Sequence, residues 1–513
     1  MEEQVKEEKK KFSIESWIKD KYNLTFLIII IAAFVIRLIF FIKTMNQPIW
    51  WDEGEYLSMA KSFATGIYFN FNPQRPFLYP LFVAFLYLFK ASEPIVRFIT
   101  VLLPSLGAVI VSYFLGKDLY NKKTALIFTS IMAVFWVSLF NTTRLHTDML
   151  ALLFGLLSLW IFWKFYVKEY KPKMLWLLGL FLALGFMTRI QNALIGVTIF
   201  VYLALTERHK LLLKKGLWIA LIVMLICLIP LFAWNIAKFD NILAQTAGTA
   251  GPLRAGESPP VAWNVWNIFP LYLMPNNNLL GIISFVFLLI GLITFVNLFV
   301  GIDMVLKNKN QNLNSDLFTM VLFFVTILYF MLIERPSLYG YDPKWLFFAG
   351  LAMFLIISKG FVQLGEWIKK IPKSLVILII ASLLILSLIP QFTQSNSSIE
   401  SRKDSYLQVK EAALWVKSNS NQDEIIYTQS PTQTTYYAER YSKGIPATYE
   451  EFVEQQKEDN SRFFIISTFE KHPDWVYLEV EQKKEEFIPV QAYMANENQP
   501  LLVIYQYNPK LNS

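Results

Sequence analysis

The sequence predicts an all-α polytopic membrane domain followed by a small C-terminal α/β domain. Three observations carry that expectation. Of 513 residues, 55% are hydrophobic and 17% charged, with 44 Phe, 24 Tyr and 15 Trp, more apolar surface than a soluble fold can cover. Eleven apolar runs approach the roughly 20 residues that cross a bilayer as a helix. After residue 390 the composition shifts to short β-rich runs alternating with helical spacing.

The expected spans are 24–43, 97–116, 123–140, 148–167, 173–188, 190–206, 214–234, 278–302, 317–333, 343–362 and 373–390. The stretch Phe77–Phe89 is shorter and opens with Pro76 and Pro80. Charge decides how to read it. Left out as a span, it lets the Lys clusters at 117–123, 164–173, 208–215, 307–309 and 359–370 all fall on one side, as the positive-inside rule requires. The stretch is therefore a juxtamembrane helix within a long first outer loop, 44–96. The net charge of +8 belongs to these inner loops and is no nucleic-acid signal. The single Cys227 lies in an apolar run and builds no disulfide framework.

Residues 1–22 form a charged cytoplasmic segment, too long and too acidic for a signal peptide. Residues 23–390 form the membrane domain, and 391–513 an extracytoplasmic α/β domain. Ser395–Ser398 reads as a linker. Ser405–Lys417 and Tyr449–Gln456 read as helices, and 425–427, 463–466, 487–490 and 501–505 as strands. Loop 235–277, with its Gly, Pro and Trp, is either a flap or an inert connector.

Four groups on the outer side carry chemistry. Asp52 and Glu53, in Trp50-Trp51-Asp52-Glu53-Gly54-Glu55-Tyr56, follow the first span within about ten residues; ionisable groups at a bilayer boundary are functional-site hypotheses by default. They are either a base for hydroxyl chemistry or solvated acids at the start of a helix Tyr56–Ala64. Arg75 and Tyr79, in Gln74-Arg75-Pro76-Phe77-Leu78-Tyr79-Pro80, would hold a lipid phosphate or merely snorkel. Arg144, His146 and Asp148 share one short turn; Asp148 is a second carboxylate for the site or a helix cap, and His146 with Asp148 is the candidate for a divalent cation. Tyr341 and Lys344 stand at the mouth of a late span, where a cation and a phenol would neutralise a phosphate leaving group. Arg189, between two closely spaced spans, is a weaker cation of the same kind.

An Asp-Glu in the first outer loop, then Arg-Pro-x-x-Tyr-Pro, then an Arg-x-x-x-Asp turn resembles the GT-C-fold glycosyltransferases, most of all the protein O-mannosyltransferase and aminoarabinose transferase group. The resemblance spans about 24–390 and is strongest over 45–165 and 339–356. It implies a polyprenyl- or dolichyl-phosphate sugar donor, an extracytoplasmic site and inversion at the anomeric carbon. It implies Asp52 as catalytic base, with Arg75 and Lys344 at the donor phosphate; Asp148 and Glu53 join the catalytic set, and Tyr341 and Arg144 the phosphate set. Aminoarabinose transferases carry Glu-Lys, with the Glu a metal ligand, where this chain has Gln74-Arg75; that departure puts the family's metal site in question, and the cofactor stays open between none and a divalent metal. No MIR-type domain is evident, so the acceptor stays open among lipid, glycan and protein. The Trp-Trp-Asp of oligosaccharyltransferases lies in their C-terminal soluble domain, and its likeness to Trp50-Trp51-Asp52 is read as coincidental.

The alternatives are a lipid-linked-sugar transporter or flippase, and a non-catalytic assembly partner. Transporters place ionisable groups near the midplane and often show internal repeats. This chain, Arg37 apart, gathers them at one interface and shows no repeat.

Overall fold

A computed structural model of the protein describes residues 14–67, 69, 72–73, 75–244, 268–301, 311–332, 343–496 and 499–508. Among these, eight helices are long and apolar enough to cross a membrane: Lys21–Thr44, Glu93–Leu119, Asp148–Lys168, Lys215–Phe239, Gly281–Val300, Leu313–Leu332, Pro343–Trp367 and Lys373–Glu400. Two more expected spans form the shorter helices Pro172–Thr188 and Ile190–Thr206.

The eleventh, 123–140, is not one helix. Lys122–Val134 stops at Phe135 (φ −54°, ψ 118°), and Trp136–Asn141 restarts beyond it. A broken helix frees backbone carbonyls, which hydrocarbon cannot satisfy. The chain answers with Arg37. Its buried guanidinium donates to Ala133 O at 2.8 Å, to Ala33 O at 3.2 Å and to Ser105 Oγ at 2.9 Å. The charge that interrupts the first apolar run thus closes the end of a neighbouring helix.

Pro343–Trp367 is the central helix: 83% of its apolar window is buried, against 22% for Lys21–Thr44 and 17% for Lys373–Glu400. It meets Gly281–Val300 backbone to backbone. A Cβ on Gly291 would run into Ile356 O, and one on Gly360 into Phe287 O. The rings of Phe287 and Phe361 stack beside that crossing with centroids 3.5 Å apart. Lipid supplies no hydrophobic drive between helices, so close packing of this kind holds them.

Phe77–Phe89 forms the helix Leu78–Leu88. At 1.5 Å per residue it is about 16 Å long, too short to cross the hydrocarbon core.

Where a linker was expected at 395–398, Lys373–Glu400 runs on as helix. The serines do not break it because they bond within it: Ser395 Oγ donates to Gln391 O at 2.8 Å. The tail then builds Leu407–Asn419 and a five-stranded sheet, β1 Ile425–Thr428, β2 Ser442–Lys443, β3 Ser461–Ser467, β4 Phe487–Asn496 and β5 Gln499–Tyr507. The order is β2-β1-β3-β5-β4, with β1 parallel to β2 and β3 and the other pairs antiparallel. The two-residue β2 and the helices Pro431–Ala438 and Asp474–Gln482 were not foreseen.

The sheet domain docks on the helix Trp51–Thr65 through its own helix Pro431–Ala438. Gly54 makes the approach fit, since a Cβ there would lie 2.7 Å from the backbone of Thr432. Around it Lys61 donates to Tyr436 O at 2.9 Å and pairs with Glu439 at 2.7 Å. Ile49 N–H donates to Tyr437 Oη at 3.1 Å, and the Tyr87 and Tyr436 hydroxyls bond at 3.1 Å.

Candidate active site

The acidic cluster is helical, not a loop. The helix begins at Trp51, five residues before the expected Tyr56, so Asp52 and Glu53 occupy its first turn. Neighbours on a helix point about 100° apart, and this separates the two acids. Glu53 turns inward and is fully buried; Asp52 turns outward with 41% of its side chain exposed.

Glu53 is saturated. Its Oε2 accepts from Trp50 N–H at 2.7 Å and Arg144 Nη2 at 2.8 Å, and its Oε1 from Leu145 N–H at 2.8 Å. The Arg144 guanidinium lies 3.6 Å from the centroid of Trp50, which covers it as a cation–π partner. Burial pushes the Glu53 carboxyl up, but Arg144, His146 and Arg97 and the Trp50 N–H outweigh it and hold it below the usual glutamate range. These facts correct two expectations. Glu53 is too deeply enclosed to meet a substrate, and Arg144, 2% exposed, is committed to Glu53 and not open to a phosphate. Together they bolt the 141–148 turn to the helix Trp51–Thr65.

Asp52 and Glu55 share Arg75. Its Nη2 lies 2.6 Å from Asp52 Oδ1, its Nε pairs with Glu55, and its guanidinium lies 5.7 Å from the Tyr56 ring. Burial raises the Asp52 carboxyl, while Arg75, His146 and Lys344 lower it by more, leaving it below the ordinary aspartate range; nearby Asp148 works against them. Glu55 goes the other way, raised by burial despite Arg75.

Asp148 opens its helix but caps nothing: the N-cap is Thr147, without a side-chain cap bond. It is instead paired with Arg189, and its Oδ2 lies 3.5 Å from His146 Nδ1. Lys344 opens the central helix and is close enough to act on both Asp52 and Asp148. Asp52, Asp148, Arg75, His146, Arg189 and Lys344, gathered from five separate stretches of chain, therefore share one site. Tyr79 sits beneath it, fully buried, its hydroxyl 3.2 Å from Thr100 Oγ1. Burial raises that phenol, and its ring packs edge-on against Tyr56, with centroids 5.7 Å apart. Tyr341, Gln74 and most of loop 235–277 lie outside the described residues.

Arg97 is the residue sequence reasoning passed over. It is buried and donates to Thr143 O at 2.8 Å, Gln47 O at 2.9 Å and Glu93 at 2.8 Å, tying the turn to the end of the first span. Its signal was present as an i, i+4 acid–base pair, Glu93 and Arg97, at the foot of a span.

A metal fits this donor set poorly. Every carboxylate in it already faces a guanidinium, and the described residues hold no cluster of three metal-ligating side chains. No step below runs through one.

Residues 74–234 match the family described as dolichyl-phosphate-mannose-protein mannosyltransferase. Among solved structures, ArnT from Cupriavidus metallidurans bound to undecaprenyl phosphate superposes with a TM-score of 0.62 at 12% identity, covering 96% of this chain and 98% of that one. The chain has the GT-C glycosyltransferase fold. Similar too is the Archaeoglobus fulgidus oligosaccharyltransferase in its apo form, with a TM-score of 0.61, 10% identity, and coverage of 88% and 70%. The same archaeal enzyme, AglB, has been solved with an inhibitory peptide and a dolichol-phosphate, with a TM-score of 0.56 and 11% identity over 97% and 75%. No curated protein sequence matches the chain.

Proposed function

We propose that this protein is an inverting glycosyltransferase that moves a sugar from a polyprenyl- or dolichyl-phosphate donor to a hydroxyl-bearing acceptor on the extracytoplasmic side. The observation that carries this reading is the split between adjacent acids: Glu53 buried and spent, Asp52 open and set among Arg75, His146 and Lys344. Transfer needs a carboxylate at the incoming hydroxyl and cations at the departing phosphate.

Asp52 accepts the acceptor's proton as its oxygen attacks the anomeric carbon. The carbon–oxygen bond to the donor phosphate breaks, and its electron pair leaves with the phosphate. Arg75 and Lys344 take up that charge. Arg75 bonds Asp52 when no phosphate is present, which keeps the acid ionised; drawn to an arriving phosphate, it releases a more basic carboxylate. Asp148, fixed by Arg189, orients His146 beside the pair. The lipid phosphates bound by ArnT and AglB support a donor of this class. A chain of this fold with its basic loops on the cytoplasmic side would place Asp52 and the sheet domain outside.

The test is transfer of radiolabelled sugar from polyprenyl-phosphate donors by purified protein. Asp52→Asn should lower turnover by about 10²–10⁴-fold, the range of a lost general base, with donor binding kept. Undiminished turnover in that variant would falsify the assignment.

A further inference from the structure

A second built site lies at the opposite end of the helix bundle. Lys359 follows Lys344 by roughly four helical turns, about 22 Å along the central helix, and so stands far from Asp52. Beside it is a cavity of about 540 Å³ lined by the 120–121 turn and the helices Lys122–Val134, Gly281–Val300, Leu313–Leu332 and Pro343–Trp367.

Two charges inside membrane helices line it. Lys359 Nζ lies 2.6 Å from Asp316 Oδ1, with the side chains only 15% and 5% exposed. Intramembrane charges are costly and mark functional sites by default. The Tyr120 hydroxyl beside the pair is spent on Thr319 Oγ1 at 2.9 Å and on Ser315 O at 3.3 Å. The ammonium is not spent: it has three donors, and its one hydrogen bond among the described residues is to Asp316. Its other flanks meet ring faces, Phe295 at 4.2 Å and Tyr120 at 5.0 Å. The amides of Asn297 and Gln363 add further donors to the wall. A pair that served only to pin two helices would need no cavity beside it.

The rim is apolar. Val300, which lines the cavity, is 84% exposed, and Phe299 and Val296 beside it are 67% and 54% exposed. A polar hollow with unspent cationic donors, continuous with an exposed apolar strip, matches an amphiphile with an anionic head. We propose that this cavity binds the phosphate headgroup of a membrane lipid, with its chains along the outer face of Gly281–Val300. The site is independent of the transferase reading.

The test uses delipidated full-length protein and native mass spectrometry, titrated with phosphatidylglycerol, diacylglycerol or inorganic phosphate. Lys359→Gln leaves Asp316 buried without its partner and can fail to fold. Gln363→Leu, a half-buried wall position, therefore carries the test, and Lys359→Arg is the conservative control. Phosphatidylglycerol occupancy should exceed that of diacylglycerol at least fivefold, fall about fivefold in Gln363→Leu at unchanged melting temperature, and survive in Lys359→Arg. Equal occupancy by diacylglycerol, unchanged binding in Gln363→Leu, or full displacement of the lipid by inorganic phosphate would each overturn the proposal.

Discussion

Two neighbouring carboxylates end in opposite states because one helical step turns one inward and the other outward. Asp52 keeps solvent and a direct ion pair with Arg75. Glu53 gives up solvent for two backbone donors and a guanidinium. Breaking a buried ion pair costs on the order of 3–5 kcal/mol, because the remaining charge is left unpaired. Glu53→Gln should therefore lower the melting temperature sharply, where an exposed surface substitution would not. The pH dependence has a definite sign. Glu53 is held below its ordinary value of about 4.3, so its contribution to stability is complete above that value and is lost as pH falls through the depressed one. Melting curves of the wild type should be flat at higher pH and converge on those of Glu53→Gln in acid. A gap between the two that persists through acid would show that Glu53 does not carry this charge.

At the scale of elements, the apolar runs located nearly every long helix, and the charge clusters set the site apart from the Lys-rich loops. Two features of the membrane helices escaped. The break at Phe135 was invisible because 123–140 reads as continuously apolar; the break is tolerated only because Arg37, distant in sequence, supplies the missing donors. The extension of Lys373–Glu400 through Ser395–Ser398 was hidden because serine favours turns in isolation, and only the back-bonding seen within the helix reverses that. In the site, the residue types and the end of the helix bundle that they share were legible. Pairings such as Asp148 with Arg189 and Glu53 with Arg144 were not, since nothing local fixes which cation meets which acid. The glycine crossing gives the sharpest element-scale expectation. Gly360→Leu would drive a side chain into the backbone at Phe287. Overpacking costs about 1–3 kcal/mol even where neighbours can shift, and backbone shifts least. The central helix should separate from Gly281–Val300, which loss of thermal stability in detergent would register; an unchanged melting temperature would mean the helices do not cross there.

For the molecule as a whole, the sheet domain is part of the site's scaffold even though it gives no side chain to the catalytic set. It holds the Trp51–Thr65 helix from outside through Gly54 and Lys61, and fixes the approach to it through the bond from Ile49 N–H to Tyr437 Oη. That bond ends one residue before Trp50, whose own N–H bonds Glu53, so the placement of Asp52 depends on contacts made from both sides of its helix. Tyr437→Phe removes the hydroxyl and leaves the Ile49 N–H buried without an acceptor, a local cost of about 1–3 kcal/mol. The sheet keeps its own core, built on Phe452, Phe464 and Phe487, so global stability should move little. Turnover should fall about tenfold while donor binding, which the proposed mechanism assigns to Arg75 and Lys344, is retained. Measuring kcat and KM separately decides the matter: a fall confined to kcat means the domain positions Asp52, whereas a rise confined to KM would assign Tyr437 to substrate binding and remove the scaffold role.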